Sequence, residues 1–155
     1  MKKSNLIIKQ KIDITLCNSI DLSTLNAVLK NVSPLYPNFE TWLNFTFRRN
    51  IVNGERSILL ANDGTNILGI ALLKHTIKEN KICTFYIPEE FRGMEIGNEL
   101  MSESLSILDN NTSIITVADE RLNELKPILK SHKFKLTDSK TSLYRSGVTE
   151  HIFTL

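Results

Sequence analysis

Between Asn5 and Leu16 the chain reads NLIIKQKIDITL, and its second half alternates Ile12, Ile14 and Leu16 with polar neighbours. A period of two marks a half-buried strand, so the first strand is expected here. From Leu22 to Val32 the period changes. Leu22, Leu25, Val28 and Leu29 recur at spacings of three and four behind Asp21, whose carboxylate suits a helix N-cap, and a short helix is predicted. After the break from Pro34 to Pro37, Asn38 stands at an N-cap position. Phe39, Trp42, Leu43, Thr46 and Phe47 then line one stripe, which predicts a second helix to about Asn53.

Ser57–Ala61 and Ile67–Ile77, joined through Asn62-Asp63-Gly64-Thr65-Asn66, read as a hairpin, and Glu79-Asn80 reverses the chain into a further strand, Lys81–Ile87. The character then changes. Pro88-Glu89-Glu90-Phe91-Arg92-Gly93 leads into Ile96, Leu100, Met101, Leu105 and Leu108 at helical spacing. Ser113–Val117 is a mostly apolar strand, and Leu122, Leu125, Ile128 and Leu129 mark a last helix as far as Lys133. Pro127 falls inside that stripe, where it removes a backbone hydrogen bond at a cost of about 3 kcal/mol, so a kink or a late start is expected. Lys135–Tyr144 and Glu150–Leu155 around Ser146-Gly147 form a closing hairpin. This order predicts an α+β fold, a mixed and mostly antiparallel sheet with helices packed on it.

Composition narrows the function classes. With 155 residues, 41% hydrophobic and 23% charged, the chain is expected to form one domain over residues 1–155. Nineteen basic against seventeen acidic residues leave a dispersed net charge of +2, which argues against a nucleic-acid partner. The clusters Arg48-Arg49 and Lys126, Lys130, Lys133, Lys135 are small, and Glu120 and Glu124 dilute the second. The longest apolar run, Ile67–Leu73, falls far short of the roughly 20 residues that cross a bilayer, so no membrane partner is expected. Lys2 and Lys3 precede only Leu6, Ile7 and Ile8 before Lys9 and Lys11, too little for a secretory signal, and a cytoplasmic location is expected. Cys17 and Cys83 read as reduced thiols, and His75, His132 and His151 show no metal-ligand spacing, so no metal is expected.

The stretch from Cys83 to Met101 carries the chemistry. A strand ending in a proline turn, followed by a glycine-containing loop that opens a helix, makes an anion site. The first amides of a helix have no intrahelical partner, and the dipole there is positive. Gly93 and Gly97 permit close backbone approach, and Arg92 adds a charged donor. An ordinary strand-to-helix turn would show the same features.

This segment resembles the acetyl-CoA signature of the GNAT superfamily of N-acetyltransferases: Gln or Arg, two residues, Gly, one residue, Gly or Ala, after a strand ending in Val or Ile and a proline turn. Arg92 and Gly97 match the outer positions, FYIPEEFRG matches the lead-in, and the order of elements agrees along nearly the whole chain. The resemblance implies a GNAT-like fold of about seven strands and four helices, with acetyl-CoA as co-substrate. It also implies that the strand before the loop splays and pairs its backbone with the pantetheine arm, a role falling on Phe85, Tyr86 and Ile87. The pyrophosphate would rest on amides of Arg92, Gly93, Met94, Glu95, Ile96, Gly97 and Asn98. Tyr36, Phe39 and Trp42 would frame the acceptor, although each aromatic also suits a plain core.

Two departures from the pattern stand out. Glu95 occupies the inner glycine position, and a carboxylate about 4 Å from a phosphate is repelled by about 4 kcal/mol at an effective dielectric of about 20. An acidic residue in a first helical turn also complements the dipole with no ligand at all. In the later helix, Lys133-Phe134 stands where many members have Gly-Phe, which puts Leu129 at the usual general-acid Tyr and Leu122 at the usual Asn. Protonation of the leaving thiolate would then come from Tyr144, Cys83 or solvent, with Tyr86 a further phenol. Base candidates are His75, Glu89, Glu90, Glu150 and His151, and the catalytic set expected is Tyr144, His75 and Glu90.

The resemblance therefore implies an acetyl-CoA-dependent N-acetyltransferase acting on a primary amine, small molecule or peptide, by direct transfer in a ternary complex. The alternative is a catalytically degenerate GNAT-fold module that binds acyl-CoA or a protein partner. The final segment HIFTL reads as an edge strand available for pairing in a homodimer.

Overall fold

A computed structural model describes residues 11–17, 19–108 and 112–155. The first strand, β1, spans Asp13–Cys17, and the expected segment Asn5–Gln10 lies outside the described residues. Leu16 is 53% exposed rather than buried, because β1 is an edge strand and only Ile12 and Ile14 of the alternating set reach the core. Helix α1 is Leu22–Val28, and Asp21 caps it by accepting from the Thr24 amide at 2.7 Å.

The second helical segment departs from a uniform α-helix. It begins as α2, Phe39–Thr41, widens into a π-helix over Trp42–Phe47 and tightens into a 3-10 turn over Arg48–Asn50. Asn38 does not cap it through its side chain. Its φ of 59° is left-handed, a conformation Asn tolerates, so its contribution is backbone freedom after Pro37. The buried set is Phe39, Leu43 and Phe47 at spacings of four, and Thr46 is exposed.

Strands β2 (Arg56–Asn62), β3 (Ile67–His75) and β4 (Asn80–Tyr86) form the antiparallel meander. Helix α3 (Ile96–Leu108) leads to β5 (Ile114–Ala118), and α4 (Leu122–Ser131) follows after a 3-10 turn at Asp119–Arg121. Pro127 lies inside α4, which begins at Leu122 with no late start. Strands β6 (Lys135–Thr141) and β7 (Thr149–Thr154) close the chain.

These seven strands make one sheet in the order β1-β2-β3-β4-β5-β7-β6. The HIFTL segment is therefore not an edge. Strand β7 lies between β5 and β6, paired on both sides, and the free edge belongs to β6, whose seven residues are all exposed. The segment expected to be free is covered because the hairpin inserts its second strand, not its first, against β5.

Both faces of the sheet are covered, which explains the near-continuous apolar runs of β2 and β3. On one face Leu59, Ala71, Leu73, Ile82 and Phe85 pack with Ile96, Leu100, Leu125 and Leu129 of α3 and α4. On the other, Ile58, Leu60, Ile70, Leu72 and Tyr86 meet Leu25, Leu29, Phe39, Leu43 and Phe47. Burying each of these large side chains contributes about 1.5–3 kcal/mol.

Candidate active site

The site begins with an irregularity in β4. Leu72 pairs with Thr84 but Leu73 pairs with Ile82, so Cys83 is an extra residue opposite β3. That bulge explains why Ile82 and Phe85, three apart, share one face. It also bends β4 away from β5, its parallel neighbour, and the two strands pair only at Lys81↔Ile114 and Ile82↔Ile115. Beyond Ile82 the strands splay, leaving the Phe85 and Ile87 carbonyls without a β5 partner.

Those carbonyls accept from two arginines. Arg121, 7% exposed, donates through a terminal guanidinium nitrogen to the Phe85 oxygen, and Arg92 donates Nε–H to the Ile87 oxygen at 2.9 Å. Glu124 joins them, with its carboxylate 3.1 Å from each guanidinium. Both guanidiniums also lie over the Tyr86 ring, at 5.8 Å for Arg92 and 5.7 Å for Arg121. The Tyr86 hydroxyl accepts from Asn31 at 3.0 Å. A cavity of only about 10 Å³, room for about one water, remains in the splay between Phe85, Ile115, Thr116 and Arg121.

At the far end of β4 the chain turns through Pro88 and a 3-10 turn, Glu89–Phe91, into α3. Gly93 has φ 82°, with open space where a Cβ would stand. Glu95 has φ 65°, so the side chain at the inner glycine position of the signature sits on a backbone that favours glycine. It is exposed, and its carboxylate accepts from Asn98 Nδ2 at 3.0 Å. Gly97 has a different reason to lack a side chain: an added Cβ would lie 2.6 Å from Ile128 Cδ1 of α4, so this glycine permits close helix packing.

On the other side of the bulge a second cavity, of about 270 Å³, is lined by Tyr36, Phe39, Trp42, Cys83, Thr84 and Tyr144. Its rim is charged, with Arg56, Lys74, Glu79 and Lys81. The rings form a chain: Tyr144 meets Tyr36 edge-on at 5.5 Å, Tyr36 lies 6.2 Å from Phe39, and Phe39 lies 5.6 Å from Trp42. Tyr144 belongs to the β6–β7 loop, which Arg145 anchors by a bidentate pair with Glu120. Tyr36, Cys83 and Thr84 line both this cavity and the small space in the splay. Burial, reinforced by the Glu150 charge, pushes the Tyr36 phenol well above its ordinary range, and burial likewise raises the Cys83 thiol. Both groups therefore keep their protons at neutral pH.

Tyr36, Phe39, Trp42 and Tyr144 thus converge on one cavity, while the other two residues of the expected catalytic set lie elsewhere. His75 is exposed at the end of β3, and strand alternation turns it away from the face that Lys74 presents to the cavity. Glu90 is exposed beyond the opposite end of β4, beside an open groove with Asn31 and Pro88. Glu150 is 1% exposed, and its carboxylate is pushed up chiefly by burial. Arg56, Glu79 and Arg121 were not singled out by the sequence. Glu79 read as a turn residue, and nothing local in the sequence marks the two arginines as converging on β4. Among the described residues no group of three or more His, Cys, Asp or Glu side chains is placed to hold a metal, and no helix is long and apolar enough to cross a membrane.

A family model described as an acetyltransferase (GNAT) domain matches residues 26–149. No curated protein matches the sequence. Among solved structures, Arabidopsis thaliana NAA60 in complex with acetyl-CoA superposes with a TM-score of 0.75 at 16% identity, over 94% of this chain and 98% of that one. Ard1 from Thermoplasma volcanium gives 0.71 at 16% identity, over 92% and 96%. A Bacillus subtilis acetyltransferase in complex with CoA gives 0.68 at 13%, over 94% and 98%. At these identities the likeness is one of fold.

Proposed function

The chain belongs to the GNAT acetyltransferase family, and on that premise we propose that it transfers an acetyl group from acetyl-CoA to a primary amine by direct attack in a ternary complex. The observation that carries this reading is the meeting of the splayed strand and the aromatic cavity at Tyr36, Cys83 and Thr84. A pyrophosphate on the amides around Gly93 and the start of α3 would direct the pantetheine arm back along Ile87 and Phe85. The thioester would then reach the cavity where an amine can wait. Solved relatives carrying acetyl-CoA or CoA lend support to the choice of co-substrate. The two free thiols suit a cytoplasmic setting.

In this mechanism the amine, once deprotonated, attacks the thioester carbonyl. The C–N bond forms, the C–S bond breaks, the nitrogen releases its second proton as the amide forms, and the thiolate takes one, so the proton lost by the donor phenol is restored by the one the nitrogen gives up. A backbone N–H of the splayed strand polarises the carbonyl. Glu79 is the carboxylate on the cavity rim, and it accepts the ammonium proton directly or through a water. Tyr36, which lines both the splay and the aromatic cavity, supplies the proton to the thiolate, in the role of the missing Tyr at Leu129. Tyr144, half-exposed beside it, is the second donor. Glu95 is tolerated because its exposed side chain can rotate into solvent, where screening removes most of the repulsion from a phosphate.

One observation favours the second reading, a degenerate GNAT-fold binding module: two arginines hold the Phe85 and Ile87 carbonyls, and almost no space remains in the splay. Calorimetric titration with acetyl-CoA, beside CoA and a Glu95→Gly variant, separates the two readings. Micromolar binding by the wild type, followed by acetylation of an amine panel, supports the enzyme. Binding by neither protein makes it a module that has lost its co-substrate.

A further inference from the structure

The acceptor cavity carries an unusual charge pattern. Arg56 of β2 pairs with Lys74 of β3, and Lys74 pairs with Lys81 of β4, so three cations stand side by side across three strands. All three line the cavity. Like charges directly opposite one another on a sheet destabilise it, and such a row calls for compensating negative charge. The protein supplies only part of it. Glu79 is 3.0 Å from Lys74, and among the described residues neither Arg56 nor Lys81 has an ion-pair partner.

Arg56 is the more telling of the two. Its guanidinium is held over the Phe47 ring at 5.6 Å, and one terminal nitrogen donates to the Cys83 sulfur at 3.4 Å, a weak acceptor. Its Nε–H is buried without any partner among the described residues. A buried charged donor left unpaired is costly, and it is rare where no ligand or water completes it. Among the described residues Lys81 reaches only the Tyr144 hydroxyl, at 3.4 Å.

We infer that the acceptor is a small amino carboxylate, an amine that also carries a carboxyl group, and this rests on the acetyltransferase reading above. The carboxylate docks between Arg56 and Lys81. Its ammonium end faces Glu79, the group that receives the proton on the way to attack. Tyr36, Phe39, Trp42 and Tyr144 pack against its apolar side chain. The cavity, at about 270 Å³, lies just below the 300–1,000 Å³ typical of sites for drug-sized ligands, which suits a molecule of amino-acid size.

The test compares free amino acids with their carboxamides as acceptors, in wild type, Arg56→Gln and Lys81→Gln. Quenching of Trp42, the single tryptophan, gives a parallel binding readout that needs no turnover. The free acids should exceed the carboxamides at least about tenfold in kcat/KM, and each variant should bring that ratio towards one. Carboxamides that serve as well as acids, or a preference unchanged in both variants, overturn the inference while leaving the transferase intact. Conversely, Trp42 quenching by acids alone, abolished in the variants but with no turnover of any amine, keeps the anion site and removes the transferase reading. Should Arg56→Gln fail to fold after losing its contact with Phe47, the half-buried Lys81 carries the same comparison.

Discussion

Arg121 follows β5 in sequence, yet its guanidinium crosses the splay to the carbonyl of Phe85 on β4. This one contact bridges the gap that the Cys83 bulge opens. In the binding mode proposed above a pantetheine amide would donate to this same carbonyl, so the contact and the co-substrate would compete for one atom. Glu124 and Arg92 hold the bridge in place, making it a small ion-pair network.

Replacing Arg121 should therefore separate stability from affinity. Arg121→Met keeps the apolar stem but removes the charged donor, leaving Phe85 unpaired in the ligand-free protein. A loss of about 2 kcal/mol is expected in denaturant unfolding. Acetyl-CoA affinity should rise up to about tenfold in calorimetry, because the freed carbonyl no longer has to be released. A variant that lost affinity in step with stability would make Arg121 a part of the binding surface instead.

Glu95 and Lys133 are linked by a common oddity. Both have positive φ, 65° and 68°, and both stand where the family pattern has glycine. A non-glycine residue in the left-handed region costs roughly 1 kcal/mol. Glu95→Gly and Lys133→Gly should each raise stability by up to about 1 kcal/mol, and the two effects should add if the sites act independently. Thermal unfolding of the single and double variants checks this. For Glu95→Gly the gain is partly offset by the lost hydrogen bond from Asn98.

This pair shows what kind of information the sequence carries. The signature could be aligned through Glu95 because a left-handed position is a local backbone property, and the residues around it kept their pattern. The periodicities of β2, β3, α3 and α4 were readable for the same reason, since each buries a stripe set by its own repeat. The π-helix at Trp42–Phe47 was not, because its alternative hydrogen bonding leaves the spacing of Phe39, Leu43 and Phe47 consistent with an ordinary helix. Nor was the covering of β7, which depends on which strand of the last hairpin docks on β5. The aromatic lining could be named from the family pattern, whereas the row Arg56, Lys74 and Lys81 exists only through strand register between segments distant in sequence.

Tyr36→Phe tests the assignment of the general acid. The ring and its contacts with Phe39 and Tyr144 remain, so stability should change by less than about 1 kcal/mol. The turnover number should fall at least about 100-fold with KM nearly unchanged, as expected when a proton donor acts in the transition state. Tyr144→Phe, at a 40% exposed position where solvent can replace the hydroxyl, should cost only a few-fold. Because the Tyr36 phenol is pushed above its ordinary value of 10, the wild-type rate should not decline through phenol ionisation below that pH.

Glu150 gives the clearest pH dependence. Its side chain is 1% exposed, neither carboxylate oxygen has a hydrogen-bond partner among the described residues, and the Arg145 guanidinium stays 3.9 Å away. Burial raises its proton affinity, and the Glu120 charge adds to that, while Arg145, His151 and Lys81 oppose it. A raised folded-state value means that the native protein binds this proton more tightly than the unfolded chain does. Between the ordinary glutamate value of 4.5 and the raised one, stability therefore falls as pH increases. Glu150→Gln removes the titration, so its stability relative to wild type should grow over that window and level off above it. Urea unfolding of both proteins from pH 4 to pH 8 measures the difference directly, with contributions from the other titrating groups largely cancelling. A difference that stayed constant across the range would mean that Glu150 is solvated enough to titrate as an ordinary carboxylate.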